Sequence, residues 1–245
     1  MFNLFKKTKK LPEITFAQLG VDMHSHVIPG IDDGAQNLGQ SLALIHAYKD
    51  MGFRKIITTP HIMADYYRNT REIIERGLDE LREELHNQNL DFEVEAGAEY
   101  YLDETFETKL DKGDMLTLAD QYLLFEISFV NYPQNLIDII RKIQDKGYKP
   151  ILAHPERYPY LFESMEHYQR IRETGCYLQL NTISLTGYYG KASQKIAEEL
   201  VDRMMIDFIG SDMHHIKHAI ALKRSLSLPY VYKLLTDYQL QNVLL

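Results

Sequence analysis

Val21-Asp22-Met23-His24-Ser25-His26, followed by Val27-Ile28-Pro29-Gly30-Ile31-Asp32-Asp33-Gly34, is the stretch on which the reading of the fold turns. On an extended strand successive side chains alternate faces, so His24 and His26 project to one side together with Asp22. Two imidazoles on one strand face make half of a metal site. The Pro-Gly and Asp-Gly pairs are turn signals, which ends the strand at His26 or Val27 and places Asp33 on the exit loop. Taken alone, the same stretch also fits a strand carrying two satisfied core histidines.

Outward from that strand, apolar and polar residues alternate between two periods. Residues 36–52 carry Leu38, Leu42, Leu44, Ile45 and Met51 at helical spacing and stop at Gly52. Lys55 to Thr59 is a short β-branched run closed by Pro60, with His61 directly behind it. Residues 68–89 are charged and amphipathic, a long surface helix. A strand over 92–102 carries Glu99, and the buried-type strand over 122–128 encloses Glu126. Helices over 134–146, 164–173 and 192–204 alternate with strands over 149–153 and 177–183 and with the run 207–214, which repeats the opening pattern in Asp212 and His214. The tail is helical in two pieces, broken near Pro229.

Strands and helices thus alternate about seven times with no repeat or linker, which calls for a parallel sheet with helices outside it. A chain of 245 residues, 45% of them hydrophobic, suffices for one such domain, expected over 20–245 behind an extension over 1–19. His26, His61, Glu99, Glu126, His154, Asp212 and His214 fall at or near the ends of six strands. Carboxyl-end residues from many strands meet most easily in a barrel, so a distorted (β/α) barrel is favoured over an open sheet.

Each of these residues has a bland reading. His61 can cap a turn, Glu99 or Glu126 can pair with an arginine, Asp33 can serve its turn, and His154 can bond a carbonyl. Their joint occurrence is harder to explain that way. Five histidines (24, 26, 61, 154 and 214) and four carboxylates (Asp33, Glu99, Glu126 and Asp212), without a cysteine, suit manganese, iron or zinc, and they exceed what one or two ordinary sites need.

The order Asp-Met-His-Ser-His, Pro-Gly-Ile-Asp-Asp-Gly, Thr-Pro-His, Gly-Ala-Glu, Leu-Phe-Glu, Ala-His-Pro-Glu-Arg and Gly-Ser-Asp-Met-His resembles the polymerase-and-histidinol-phosphatase (PHP) superfamily. More narrowly, it resembles the bacterial manganese-dependent protein-tyrosine phosphatases of capsule and exopolysaccharide operons, the CpsB/YwqE type. The motifs run from about Gly20 to His214. The resemblance implies a distorted (β/α)7 barrel of the PHP type and three divalent ions, manganese by preference. It assigns His24, His26, Glu99 and Asp212 to one ion, Glu99, Glu126 and His154 to a second, and Asp33, His61 and His214 to a third. Arg157 would bind phosphate, and Arg157 and Asp212 would be catalytic.

Elementary chemistry agrees with that assignment. Three dications against four carboxylates and a bridging hydroxide leave the site near +1 in a chain of net charge −8, which attracts a phosphate dianion. Coordination lowers the pKa of water from 15.7 toward ~7, so a metal-bridging hydroxide can attack phosphorus without a phospho-enzyme. The planar fork of Arg157 can hold two phosphoryl oxygens at once. The single cysteine, Cys176, opens an apolar strand and has Thr182, not arginine, six residues on, so thiolate catalysis is not expected. Tyr66, Tyr67, Phe129, Tyr132, Tyr158 and Tyr160 fall on mouth loops, and Tyr67 and Tyr158 are candidates to flank a phosphotyrosine ring. His46, His86, His167, His215 and His218 receive no role.

The net acidity argues against nucleic-acid binding, and no apolar run approaches the ~20 residues of a membrane span. A cytoplasmic location is expected, with Lys6, Lys7, Lys9 and Lys10 in a frayed extension or in weak contact with an anionic membrane. The implied partner is a phosphotyrosine protein, the tail of a bacterial tyrosine autokinase. Two other functions remain open: a small-molecule phosphomonoesterase of the histidinol-phosphatase type, and an inactive regulatory protein on the same scaffold. Two features depart from the family pattern: the motif strand begins only at residue 21, and residues 228–245 carry no recognisable motif.

Overall fold

The computed structural model describes residues 12–119 and 121–245, so the lysine-rich stretch lies outside the described residues. The elements are β1 (Val21–Asp22), α1 (Leu38–Asp50), β2 (Lys55–Thr58), β3 (His61–Ile62), α2 (Arg71–Asn87), β4 (Glu93–Ala96), β5 (Glu99–Tyr101) and α3 (Phe106–Lys112). There follow β6 (Tyr122–Glu126), α4 (Leu136–Asp145), β7 (Lys149–Ala153), α5 (Met165–Glu173), β8 (Tyr177–Asn181), α6 (Lys191–Asp202), β9 (Phe208–Gly210), α7 (Ile216–Ser225) and α8 (Pro229–Thr236). Every strand pairing is parallel. One sheet has the order β1-β2-β4, the other β3-β5-β6-β7-β8-β9.

The expected parallel α/β architecture is therefore present. β2 and β3 are one course of chain interrupted at Thr59-Pro60, and β4 and β5 another interrupted at Gly97-Ala98. Pro60 brings no N–H to a ladder. Hydrogen bonds bridge the gap: Gly97 N donates to Thr58 O and Glu99 N to Pro60 O. On the other flank Asp212 N donates to His24 O, His26 N donates to Met213 O, and Ser25 pairs with Met213 in a parallel bridge.

Several boundaries differ from the sequence reading. Regular pairing of the opening strand stops at Asp22, because the Asp22 carboxylate takes the His24 N–H locally (3.0 Å). The strand over 92–102 is two strands. β8 ends at Asn181, where Thr182–Thr186 winds into a 3-10 turn closed by Gly187 at φ 80°. The sequence reading has no counterpart to α3, although Gly113 at φ 75° ends it as a left-handed C-terminal glycine does. Ahead of the opening strand, Phe16 is fully buried, stacks on Phe53 and donates its N–H to Met51 O, so apolar packing begins before β1.

The strands show why the site lies where it does. Leu123, Phe125, Leu152, Leu178, Leu180 and Ile209 belong to the main core shared with the helices, while Tyr122, Leu124, Ile151, Ala153 and Phe208 form a second, smaller apolar cluster with Val21, Met23 and Ile57. That is the period of two in each strand, one face toward the helices and one toward the other strands. Glu126 shares the face of Tyr122 and Leu124, and Gln179 and Asn181 share the corresponding face of β8. The polar residues therefore sit above an apolar plug, at the carboxyl ends of the strands.

Candidate metal centre

Every candidate ligand but Asp33 is presented by a strand end. His24 and His26 follow β1, His61 and Glu99 open the short strands β3 and β5, Glu126 closes β6, and His154 follows β7. Asp212 and His214 follow β9, and Asp33 lies on the loop before α1. His154 and Asp212 adopt positive φ (35° and 51°), a conformation costly for residues with a Cβ and found where the surrounding structure holds a functional side chain in place.

Around Glu99, which is fully buried, the groups converge. Its Oε2 lies 3.1 Å from His24 Nε2, 3.2 Å from His61 Nδ1 and 3.5 Å from His26 Nε2, and its Oε1 lies 3.0 Å from His154 Nε2. Asp212 Oδ1 stands 3.4 Å from His24 Nε2, from His26 Nε2 and from His214 Nδ1. Glu126 Oε1 is 3.2 Å from His61 Nδ1, and Asp33 Oδ1 is 3.5 Å from His61 Nε2 and 3.4 Å from His214 Nε2. All nine sequence-selected ligands thus share one neighbourhood.

Three sets can each bring one donor atom per residue within 4.8 Å of one another: His24, His26, Glu99 and Asp212; His26, Asp33, His61 and His214; and His61, Glu99 and Glu126. The first is the set the resemblance implied. The second adds His26 to the expected Asp33, His61 and His214. In the third His61 stands where His154 was expected, and His154 Nε2 lies 3.0 Å from Glu99 Oε1 and 3.8 Å from Glu126 Oε2.

The donors suit divalent cations. Nε2 of His24 and of His26, Nδ1 of His61 and Oε2 of Glu99 are buried and make no hydrogen bond among the described residues, an expense a fold bears when something else satisfies those atoms. Burial pulls the His24 and His26 imidazoles down, but the facing carboxylates outweigh it and raise both. Burial likewise pushes Glu99 and Asp212 up, and the surrounding histidines hold both well below the usual carboxylate range. Asp33 is brought to about 2, burial being outweighed by His214 and His61. Protons held in this way are what a cation displaces on binding.

Over the cluster lies a cavity of about 310 Å³ whose lining includes Asp33, Tyr67, Phe129, Arg157, Tyr189 and His218. Arg157 Nη1 donates to Asp212 Oδ2 at 2.8 Å, and the guanidinium lies 4.1 Å from the ring centre of Tyr189 and 4.9 Å from that of Phe129. Tyr67 is fixed by reciprocal backbone bonds with Met63, and its ring stacks on His61 at 5.4 Å. Tyr158 must be corrected: it is fully buried, accepts the Ile127 N–H and packs behind Phe129 and His154, so it supports the wall and does not face the cavity. Cys176 is buried away from this site and burial pushes its thiol up, as expected for a core residue.

Sequence reading missed several neighbours. Asp32 was passed over for Asp33, yet its Oδ2 takes the His26 Nδ1–H at 2.8 Å and the His61 N–H at 3.2 Å. Tyr189 and His218 line the cavity, and Gln179 and Asn181 lie buried beneath it. The last two left a signal: two amides alternating with Leu178 and Leu180 in an otherwise apolar strand.

The sequence profile of the capsular polysaccharide synthesis family CpsB/CapC matches residues 20–242. The chain belongs to the CpsB/CapC family. The match reaches into the tail that carried no recognisable motif. Among relatives of this CpsB/CapC chain, tyrosine-protein phosphatase YwqE of Bacillus subtilis is 32% identical over 198 residues, 80% of this chain and 78% of that one. Tyrosine-protein phosphatase CpsB of Streptococcus pneumoniae is 29% identical over 202 residues, 80% of this chain and 83% of that one. A solved structure from the crystallographic work on these two proteins, which describes them as unique metal-dependent tyrosine phosphatases, superposes with a TM-score of 0.78. It is 30% identical, and the match covers 89% of this chain and 91% of that one. Among the described residues no helix is long and apolar enough to cross a membrane.

Proposed function

We propose that this CpsB/CapC-family chain is a metal-dependent protein-tyrosine phosphatase. The observation that carries the proposal is the convergence of three histidine–carboxylate sets that overlap through His26, His61 and Glu99, with Arg157 bonded to Asp212 in the lining of the cavity above them. Bound divalent cations lower the pKa of water enough to supply a nucleophile at neutral pH and neutralise the phosphoryl oxygens.

The chain's own groups have separable tasks. His24, His26, Glu99 and Asp212 would hold one cation, Glu99, Glu126 and His154 a second, and Asp33, His61 and His214 a third, with manganese the preferred metal and iron or zinc compatible with the same donors. The Arg157 fork has one Nη1–H on Asp212 and makes no other side-chain hydrogen bond among the described residues, which leaves N–H groups for two phosphoryl oxygens. Phe129 and Tyr189 hold that fork from its faces. Tyr67, with its ring exposed to the cavity, would lie along the phosphotyrosine ring.

The two sheets are read as one distorted (β/α)7 barrel. The bonds across Thr58–Gly97 and Pro60–Glu99 and the Ser25–Met213 bridge support that reading. Residues 20–245 are read as a single domain, a reading supported by the continuity of the main apolar cluster to Leu240, into which Phe16 of the preceding stretch also packs. The partner is proposed to be the phosphotyrosine tail of a bacterial tyrosine autokinase met in the cytoplasm, in keeping with the capsule-synthesis family.

Manganese-loaded protein is to be compared on a phosphotyrosine peptide, a phosphoserine peptide and histidinol phosphate. Fastest turnover of phosphotyrosine, abolished by a chelator and restored by manganese, is expected. Faster hydrolysis of histidinol phosphate, or no metal-dependent hydrolysis of any of the three, would overturn the proposal.

A further inference from the structure

Beneath the candidate metal centre, β8 carries two fully buried amides whose hydrogen bonds run in one direction. Asp212 Oδ2 is a carboxylate oxygen and can only accept, so the Asn181 group 2.7 Å from it is the donating Nδ2. Asn181 therefore turns its Oδ1 to Gln179, and the group meeting it at 3.0 Å is Gln179 Nε2. Gln179 in turn presents Oε1 to His24 Nδ1 at 2.8 Å and to the His154 backbone N–H at 3.3 Å. An amide oxygen carries no hydrogen, so His24 must carry one on Nδ1. Each link fixes the next, back from the carboxylate to the imidazole.

We infer that Gln179, oriented by Asn181, is the positioning residue that locks His24 with its proton on Nδ1 and its Nε2 aimed at the cation shared with Asp212. The inference rests on the metal-centre reading above and adds to it how two ligands from distant strands are set by one neutral relay. Asn181 and Arg157 together occupy Asp212 Oδ2, which turns Oδ1 toward the Nε2 atoms of His24 and His26. Ligating histidines are commonly oriented through their second ring nitrogen, and here His26 receives that orientation from a carboxylate, Asp32, but His24 from an amide. A neutral amide fixes the ring without adding charge beneath a site that already holds Glu99 and Asp212.

Gly210 shows that room is kept for this relay. A Cβ there would stand 2.7 Å from His24 Cβ and 2.9 Å from Gln179 Nε2, closer than the two side chains can tolerate without moving. Gly210 is also the β9 partner of Asn181 in the strand register. β8 thus brings both amides under the ligands, and β9 leaves the space they fill.

Two substitutions test the relay, with manganese affinity measured by chelator competition and the His24 ring read by 15N NMR in histidine-labelled protein, metal-free and zinc-loaded. Gln179→Met keeps the bulk and removes the acceptor. A 10–100-fold weaker manganese affinity and loss of the persistent His24 Nδ1–H resonance are expected. Gln179→Glu keeps an oxygen for His24 and should keep that resonance, and it carries the test alone if the methionine variant does not fold. Parent-like manganese affinity with an intact Nδ1–H signal in Gln179→Met, or loss of the signal in Gln179→Glu, would overturn the inference. Both readouts need no substrate, so a chain that behaves as expected here and hydrolyses no phosphotyrosine would sink the proposed function and leave the relay standing.

Discussion

Glu99 is the residue on which the site's geometry depends most. It is fully buried and stands within 3.5 Å of four imidazoles that come from three different courses of chain, so an amide in its place would leave several of them without an anionic neighbour. Glu99→Gln is expected to lower manganese-dependent turnover by more than about 100-fold, beyond the loss typical of residues that only support a ligand. Metal content measured on the same preparation should fall with it. Arg157→Lys keeps the charge but loses the planar fork. A loss of about 1.5–3 kcal/mol in charged hydrogen bonding corresponds to about a 10–200-fold fall in kcat/KM on a phosphotyrosine peptide, carried mainly by KM if the arginine binds ground-state phosphate. Cys176→Ala should leave kcat within about twofold, and the folded parent should resist thiol alkylation, because the sulfur is buried and its thiolate disfavoured. A cysteine-dependent activity in this chain would contradict the metal route.

Between residue and fold, the loop from His26 to Gly34 does much of the arranging. Gly34 approaches the strand so closely that a Cβ would lie 2.1 Å from His26 O, and within the loop this contact closes Asp32 bonds the His26 ring while Asp33 faces His61 and His214. Gly34→Ala is therefore expected to destabilise the fold by about 1–3 kcal/mol, the usual cost of overpacking, and to weaken metal binding as well. A denaturant midpoint and a manganese titration would separate the two effects. The glycine was visible in the sequence as part of a turn signal. Its role as the point of closest approach was not, since that depends on where residue 34 returns relative to residue 26. β8 makes the same point: its alternating amides could have been noticed, but their partners just beyond β1, β7 and β9 are more than twenty residues away.

At the scale of the whole molecule, the two ends of the strands carry opposite demands. At the carboxyl ends, Asp33, Glu99, Glu126 and Asp212 repel one another unless cations lie between them, so metal binding is coupled to folding. At a metal concentration of about 100 Kd the linkage is worth about 2.7 kcal/mol, which at about 2–4 °C per kcal/mol for a chain of this size predicts a chelator-induced fall in Tm of about 5–11 °C. An unchanged melting curve after verified metal removal would contradict this. At the amino ends, Asn242 is fully buried, takes the Ile209 N–H at 3.0 Å and donates to Ile209 O and Val21 O, joining β9 to β1 beneath the apolar plug. Asn242→Ala would leave those backbone groups unpaired and should cost about 1–3 kcal/mol in unfolding experiments without altering KM. The amino-acid sequence by itself determined the parallel α/β alternation, the nine ligand candidates and the placement of the lone cysteine in an apolar strand, because periodicity, strand-end placement and residue chemistry are local properties. Only the tertiary structure decided that His61 stands beside Glu126, that Tyr158 is a buried prop, that Asp32, Gln179 and Asn181 hydrogen-bond the candidate ligands His26, His24 and Asp212, and that Phe16 and Asn242 belong to the packed body. Those are contacts between segments far apart in the chain, and their geometry is set by how strands pair and twist, which no window of sequence contains.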